Sequence, residues 1–279
     1  MIRTVTLKSG REASIKRMHP WIFSGAIQKA DEGIIEGDLV HVLDAKGAFV
    51  AQGHFSSGSL AVKVLSLSEE TIDDHWFAQR LNEAKSLREV LGFPDKHTNA
   101  YRLVHGEGDG LPGLIIDIYA DTAVIQPHSK GMERLLQTLS ITLIEMGFKN
   151  TIHKPTGKGT TSVLVGAVSE RIQIRENDMI FNVDVVNGQK TGFFLDQRES
   201  RALIGKYARD KNVLYVFSYT GGFSIAAALA GAKKVISFDA SSKALDIAME
   251  NAALNNCSEV HSVIKGDAVK YLESLSETF

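Results

Sequence analysis

The sequence has little cysteine, little proline and no long hydrophobic run. It holds one cysteine and five prolines among 279 residues. A single cysteine excludes a disulfide within the chain and fits a reducing compartment. No stretch approaches the roughly 20 apolar residues that a membrane-spanning helix needs, and the N-terminal MIRTVTLKSGREASIKRMHPW lacks the apolar core of a signal peptide. We therefore expect a cytoplasmic protein that does not enter a membrane.

The sequence also lacks a strong excess of charge of either sign. The net charge is −2, with 23% charged and 44% hydrophobic residues, which is ordinary for a globular protein. This balance excludes a strongly basic protein, so any nucleic-acid surface must be a local patch. The length favours about two domains, or three small ones.

One strand–turn–helix–strand unit stands out, over Val213–Leu245. Its apolar run Val213–Phe217 predicts a buried strand, which the glycine-bearing turn Ser218–Gly222 follows. Small residues then predict a helix over Ile225–Ala230, before a second buried strand that ends in Asp239. Glycines let a backbone approach a ligand, and a helix N-terminus offers free amides to an anion. The unit predicts a nucleotide-type site or only a tight turn, because G-x-G-x-x-G is incomplete.

Acidic residues stand at the carboxyl ends of two predicted strands. Asp239 lies roughly 20 residues after the glycines, the distance at which a carboxylate meets a ribose hydroxyl in nucleotide-type sites. A third predicted strand, Val260–Ile264, ends shortly before Asp267 and Ala268. Ligands of open α/β sheets bind outside the carboxyl ends of the strands. We therefore expect Gly221, Asp239 and Asp267 to gather at one edge.

The first 67 residues predict a small β-barrel, because short alternating runs are separated by turns that contain glycine. Positive charge gathers early in this part, in Arg3, Lys8, Arg11, Lys16, Arg17 and His19. Trp21 and Phe23 follow directly. A basic strip beside aromatic rings suits an RNA backbone with an unstacked base. A solvated edge beside core residues of the barrel would give the same pattern.

The middle of the chain predicts a second α/β module without obvious chemistry of its own. Apolar residues at helical spacing predict a helix over Glu69–Leu91, and the polar stretch up to Asn99 is the best candidate linker. A glycine-rich loop then holds His105, Glu107 and Asp109. Their alternate spacing is weak evidence for a metal site, so we interpret the loop as a structural turn and predict no metal.

A polar stretch lies immediately upstream of the nucleotide-type unit. It includes Gln189, Lys190, Gln197 and Arg198, and a predicted helix, Glu199–Tyr207, follows. Its position would let the segment fold over a ligand as a lid. A surface loop before a capped helix remains the alternative.

Four stretches of this sequence carry a resemblance to a known family. They are RMHPWIFSGAI (Arg17–Ile27), RLVHGEGDGLPGLIIDIY (Arg102–Tyr119), GQKTGFFLDQRESR (Gly188–Arg201) and VFSYTGGFSIAAALAGA (Val216–Ala232). Together they resemble the RlmI-type 23S ribosomal RNA cytosine-C5 methyltransferases, which use S-adenosylmethionine and carry an N-terminal PUA domain. The resemblance implies an α/β multidomain fold in three parts: a PUA-like RNA-binding barrel at 1–68, a linking α/β module at 69–186, and a Rossmann-like class I methyltransferase core at 187–279.

The resemblance also implies roles for individual residues. Most of them would hold the cofactor: Lys190, Gln197, Arg198, Ser218, Tyr219, Thr220, Gly221, Asp239, Asp267 and Ala268. Lys190 and Arg198 would lie near a carboxylate or an RNA phosphate, Asp239 near the ribose, and Asp267 with Ala268 beside the adenine. Arg17, His19 and Trp21 would contact ribosomal RNA, the expected partner. A homodimer is kept as an open possibility.

One departure from the family concerns catalysis. Carbon 5 of cytosine is too weak a nucleophile to take a methyl group unaided, and the family adds a cysteine thiolate to carbon 6. Cys257, the only thiol, is predicted at the opposite edge of the sheet from the ligand. The resemblance therefore implies a catalytic cysteine beyond Phe279, and Val213–Phe217 would lie at an exposed sheet edge. The expectation is a C-terminally truncated, inactive chain, with a non-catalytic RNA-binding relative as the alternative.

Overall fold

A computed structural model describes residues 2–157 and 159–275. The chain folds into two compact units. Unit 1 comprises Met1–Phe93 and Arg102–Val168, and unit 2 comprises Pro94–Tyr101 and Ser169–Phe279. The predicted division into three parts is finer than this one, and its boundaries stay a prediction.

Unit 1 begins with a barrel-like sheet of six strands in the order β2-β6-β5-β4-β1-β3. The strands are β1 (Arg3–Leu7), β2 (Trp21–Phe23), β3 (Ile27–Ala30), β4 (Leu39–Leu43), β5 (Phe49–Phe55) and β6 (Leu60–Ser66). Strands β1 and β4 are parallel, and the other pairs are antiparallel. Alternate residues such as Val5, Val40 and Val62 point into a fully buried core. A short helix, α1 (Glu12–Lys16), adds Ile15 to this core, so the all-β prediction for this part was incomplete.

A second sheet, formed by residues of unit 1 apart from Ala100 and Tyr101, has the strand order β11-β10-β9-β8-β7. Its strands are β7 (Ala100–His105), β8 (Leu114–Tyr119), β9 (Thr122–Pro127), β10 (Asn150–His153) and β11 (Ser162–Val165). The helices of this part are α2 (Asp74–Val90), α3 (Lys130–Arg134) and α4 (Leu136–Glu145). Asp73 caps α2 by accepting the amide hydrogen of Trp76, which explains why this helix begins five residues after the predicted start at Glu69.

A buried histidine lies in unit 1. His54 on β5 is 6% exposed, and its Nδ1 has no hydrogen-bond partner among the described residues. Burial, followed by the positive charges of Arg134 and Lys63, lowers the pKa of His54 from 6.5 to about 4. Gly131 on α3 packs directly against the imidazole, since a Cβ there would lie 2.2 Å from its ring atoms.

Unit 2 combines a hairpin with a parallel sheet. The hairpin strands are β12 (Ile172–Glu176) and β13 (Met179–Val183), and the parallel strands are β14 (Asn212–Val216), β15 (Lys234–Asp239) and β16 (His261–Lys265). The helices are α5 (Arg198–Ala208), α6 (Gly222–Leu229), α7 (Ser242–Leu254) and α8 (Ala268–Leu275). Among the described strands β14 lies at the sheet edge, as predicted, with Leu214 and the following Phe217 exposed.

Helix α7 ties the hairpin to the turn after β14. Ser241 caps the helix by accepting the amide hydrogen of Ala244. The fully buried Asn251 accepts the amide hydrogen of Asn182 at 2.7 Å and donates to the carbonyl of Thr220 at 2.9 Å. One side chain therefore fixes the turn relative to β13. None of the described helices is long and apolar enough to cross a membrane.

Candidate functional site

A cavity of about 630 Å³ opens in unit 2 beside the turn that follows β14. It is lined by Gln189, Phe193, Phe194, Gln197, Arg201, Tyr215, Phe217, Ser218, Tyr219, Thr220, Gly222, Phe223 and Asp239. The volume is in the range of small-molecule sites, and most of the lining is aromatic or apolar with a few polar groups. Its position after the carboxyl ends of β14 and β15 is where open α/β sheets bind ligands.

The turn itself adopts an unusual backbone. Phe217, Tyr219 and Gly221 have φ values of 59°, 48° and 76°, in the left-handed region that non-glycine residues seldom adopt. Asp239 holds the turn in this shape, because its carboxylate accepts the amide hydrogens of Tyr219 at 2.8 Å and of Ser241 at 2.9 Å. At Gly221 a Cβ would lie 3.0 Å from the Cβ of Ala248, so the turn packs closely on α7.

Two hydroxyl groups of the turn are buried without a partner. Ser218 and Thr220 are 1% and 2% exposed, and neither Oγ of Ser218 nor Oγ1 of Thr220 has a hydrogen-bond partner within the described part of the chain. A buried polar group without a partner costs roughly 1–3 kcal/mol. Both residues line the cavity. A ligand with polar groups would satisfy these hydroxyls.

The polar segment upstream of α5 contacts the turn through one phenol. The hydroxyl of Tyr219 accepts the amide hydrogen of Gln189 at 2.8 Å and donates to the carbonyl of Gly192 at 3.1 Å. Its ring makes an edge contact with Phe194, with the centroids 5.4 Å apart. Burial raises the pKa of Tyr219, so the phenol stays protonated and able to donate. This contact holds the segment against the cavity, which agrees with the lid interpretation more than with a free surface loop.

A buried ion pair supports the cavity wall. Arg201 on α5 and Glu176 at the end of β12 are 2% and 1% exposed, and two hydrogen bonds of 2.6 and 2.7 Å join them. Arg201 also donates to the carbonyl of Phe194 at 3.0 Å. Its guanidinium lies 4.6 Å from the ring centroid of Phe193. Such a pair fixes the geometry of both partners, since separating either one would leave a buried charge.

Part of the predicted cofactor set lines this cavity. Gln197, Ser218, Tyr219, Thr220 and Asp239 all do so, and Gly221 is the N-cap residue of α6 directly beside them.

The other four predicted residues are not among the lining residues. Lys190 is exposed, with its Nζ 3.1 Å from Asp196 and 4.3 Å from the ring centroid of Phe194. Arg198 pairs with Glu199 at 3.2 Å. Asp267 is exposed and accepts the amide hydrogen of Val269 at the start of α8. Ala268 is buried in that helix. Their roles at the cofactor stay predictions.

Several lining residues carried a weaker sequence signal. Phe193, Phe194 and Arg201 lie inside the GQKTGFFLDQRESR stretch, but a phenylalanine pair usually indicates core and an arginine on a helix usually indicates a solvated face. Gln189 belongs to the segment predicted to act as a lid. What sets Arg201 apart is its ion pair with Glu176, 25 residues upstream. No spacing rule in the sequence reveals that pair.

A second cluster lies on the barrel of unit 1. His19, Trp21 and Phe23 form a row of rings, with the centroid of His19 6.0 Å from Trp21 and 6.2 Å from Phe23. Phe23 is 50% exposed, and Arg17, two residues before His19 in the sequence, is also exposed. Trp21 and Phe23 also line a cavity of about 260 Å³ together with Arg11. The indole nitrogen of Trp21 donates to Glu107 at 2.8 Å, so this ring is fixed in place.

The loop considered for metal binding is held by other contacts. Asp109 pairs with Arg88 and accepts the amide hydrogen of His105, and Glu107 is bound to Trp21. Among the described residues no group of three or more histidine, cysteine, aspartate or glutamate side chains has a geometry that would hold a metal ion.

Cys257 is 5% exposed and is not among the residues that line the cavity. It lies between α7 and β16, at the amino end of the sheet, as predicted. Burial raises the pKa of its thiol, which disfavours the thiolate that nucleophilic attack requires.

Two family profiles match this chain. Residues 5–67 match the profile of a PUA-like domain, and residues 129–270 match that of an S-adenosylmethionine-dependent methyltransferase. The chain is 41% identical over 267 residues to ribosomal RNA large subunit methyltransferase I of Aliivibrio fischeri, covering 91% of this chain and 67% of that protein. It is 39% identical to the protein of that name from Aeromonas salmonicida, covering 98% and 72%.

Solved structures agree over nearly the whole chain. A protein from Streptococcus mutans, described as an S-adenosylmethionine-dependent methyltransferase, superposes with a TM-score of 0.87 at 25% identity, covering 99% of this chain and 74% of its own. A methyltransferase complexed with SAH gives the same TM-score and identity, with coverages of 99% and 73%. The chain thus spans roughly two thirds to three quarters of the length of these proteins.

Proposed function

This chain belongs to the family of ribosomal RNA large subunit methyltransferase I proteins, which are S-adenosylmethionine-dependent enzymes, and we propose that it binds this cofactor and large-subunit ribosomal RNA as part of an enzyme that methylates carbon 5 of a cytosine. The observation that carries the proposal is the turn Ser218–Gly222: Ser218 and Thr220 line the same cavity as Asp239, and their two buried hydroxyls have no partner among the described residues.

The lining of the cavity fits the cofactor. The carboxylate of Asp239 accepts one backbone amide at each oxygen and retains lone pairs for the ribose hydroxyls. The hydroxyls of Ser218 and Thr220 would find acceptors or donors on the bound molecule. Phe194, Tyr215 and Phe217 offer apolar surface to the rest of it. When bound, the cofactor supplies a sulfonium methyl group that a nucleophile can take.

The barrel of unit 1 fits the RNA. The exposed Arg17 would neutralise a phosphate, and the exposed ring of Phe23, next to His19, would stack on an unpaired base. Phosphate contacts position an RNA without specifying its sequence. These residues alone therefore do not determine which nucleotide is methylated.

Methylation of carbon 5 requires a cysteine thiolate, and no cysteine of this chain lines the cavity. Its single cysteine is Cys257, whose raised pKa and burial at the amino end of the sheet oppose that role. We therefore expect the 279-residue chain to bind cofactor and RNA without transferring the methyl group.

Two measurements test the proposal. Calorimetric titration with S-adenosylhomocysteine should give saturable binding, whereas NAD should not bind because the phosphate-binding glycine set is incomplete. Absence of binding by S-adenosylhomocysteine would refute the function. A single-turnover assay with methyl-labelled S-adenosylmethionine and large-subunit ribosomal RNA should then yield no labelled RNA. Labelled cytosine from the 279-residue chain would refute the argument about the missing thiolate.

A further inference from the structure

The lining of the cavity in unit 2 carries two opposite charges. Among the described residues that line it, Asp239 is the one anion and Arg201 the one cation. Asp239 has its role at the ribose in the proposed function, on which this inference rests. The proposed function gives no role to the charge of Arg201.

The guanidinium of Arg201 has donors to spare. Its Nε and Nη2 bind the carboxylate of Glu176, and Nη2 also donates to the carbonyl of Phe194. A guanidinium carries five N–H donors, and these three bonds leave the two on Nη1. Nη1 makes no hydrogen bond to any residue in the described ranges 2–157 and 159–275. Since Arg201 lines the cavity, these donors are available to a ligand.

The place of Nη1 is set by a glycine. A Cβ on Gly222 would lie 3.1 Å from Cδ and 3.7 Å from Nη1 of Arg201, so Nη1 lies beside the first residue of α6. The first amides of a helix have no acceptor within the helix, and they carry partial positive charge. The buried hydroxyls of Ser218 and Thr220, which have no partner among the described residues, lie in the same lining. These donors together match a carboxylate.

We propose that Nη1 of Arg201 binds the α-carboxylate of the methionine part of S-adenosylmethionine, and that Glu176 is a positioning residue that aims the guanidinium. The bidentate bond to Glu176 fixes the fork, so little side-chain entropy is lost when the ligand binds. Because Glu176 already neutralises most of the charge of Arg201, the empty cavity tolerates the cation. This proposal gives the carboxylate to a residue that lines the cavity, whereas the sequence prediction puts Lys190 and Arg198 near a carboxylate or an RNA phosphate.

The test compares two ligands that differ only in this carboxylate. Calorimetry measures the affinity of the wild-type chain for S-adenosylmethionine and for decarboxylated S-adenosylmethionine, which retains the sulfonium, the amine and the nucleoside. A charge-assisted hydrogen bond is worth roughly 10- to 100-fold in affinity. We expect the wild type to prefer S-adenosylmethionine by that factor.

The double variant Arg201→Met with Glu176→Gln removes the cation without leaving a buried anion. We expect its affinities for the two ligands to differ by less than about threefold. Arg201→Lys keeps the positive charge but lacks the planar guanidinium. It replaces the double variant in the test if circular dichroism shows that the double variant does not fold. Its preference should be intermediate. Lys206→Met, which removes an exposed cation from the same helix, should keep the full preference.

The outcomes separate the inference from the function it rests on. If wild type binds neither ligand, the cofactor site itself is refuted. If wild type binds both ligands equally well, or if Arg201 variants weaken both ligands by the same factor, Arg201 has only a structural role and the inference is overturned. Loss of the preference in Lys190→Met or Arg198→Met, with Arg201 variants unaffected, would also overturn it.

Discussion

Replacing Tyr219 with phenylalanine removes the hydroxyl that joins the upstream segment to the turn and leaves the ring. The edge contact with Phe194 is retained, while the bonds to the amide of Gln189 and the carbonyl of Gly192 are lost. Gln189 is exposed, so its backbone N–H can form a hydrogen bond to water instead. Gly192 is buried, so its carbonyl loses a partner that water does not easily replace.

The magnitude follows from these two bonds. Each contributes about 1 kcal/mol net, and a carbonyl left buried without a partner adds to the cost, so the free energy of unfolding should fall by about 2 kcal/mol. A factor of ten in affinity corresponds to about 1.4 kcal/mol. If most of the loss falls on ordering the segment over the cavity, the affinity for S-adenosylhomocysteine should drop about tenfold.

The assay pairs urea denaturation with calorimetric titration of S-adenosylhomocysteine. Tyr207→Phe is the matched control, because Tyr207 on α5 is 71% exposed and the same change there should alter neither quantity. An unchanged ligand affinity in Tyr219→Phe, together with lowered stability, would show that the segment does not act on the cavity. That result would refute the reasoning.

Three further predictions follow from the same structure. Thr220→Val removes a buried hydroxyl that lacks a partner among the described residues, so stability should hold or rise by about 1 kcal/mol in urea denaturation while cofactor affinity falls several-fold; a loss of stability would contradict this. The pKa of His54 is lowered in the folded chain, so between about pH 6.5 and pH 4 this histidine is protonated in the unfolded chain and neutral in the folded chain. Stability should fall by about 2 kcal/mol between pH 7 and pH 5, and His54→Gln should remove that part of the slope. Phe23→Ala should weaken RNA binding about tenfold without changing the melting temperature, and Arg17→Ala should lower the salt dependence of binding by about one ion. If either variant instead lowers the melting temperature and leaves RNA binding by the folded chain unchanged, the proposed RNA surface is refuted.

The turn after β14 and the acid after β15 were predictable because both signals are local. A β-branched run, glycines and an aspartate at fixed spacing specify a parallel strand–helix–strand unit, and the structure has Ser218, Thr220 and Asp239 in one cavity lining. The strands of the parallel sheet begin and end within one residue of their predicted bounds, since continuous apolar runs specify such strands. The predicted burial of the first strand was wrong, because β14 lies at the sheet edge and none of its residues is buried.

Contacts between distant parts of the chain were not predictable in this way. The pairing of Arg201 with Glu176 joins a helix to a hairpin, and the phenol of Tyr219 reaches back to Gly192. Neither has a spacing rule, because tertiary packing brings the partners together. The capping contact of Asp267 was not predicted either: its carboxylate accepts the amide hydrogen of Val269 at the start of α8, while its role at the cofactor stays a prediction.

The short helix α1 was missed for another reason. Five residues with one buried position, Ile15, carry too little periodicity to be told from a strand or a loop.

The most direct test of the central claim is a crystal structure of this chain with S-adenosylhomocysteine. The account predicts the ligand in the cavity beside Ser218–Thr220, with its ribose hydroxyls within hydrogen-bond distance of the Asp239 carboxylate. Density for the ligand at another place, or a cavity filled by protein side chains at saturating ligand, would contradict it.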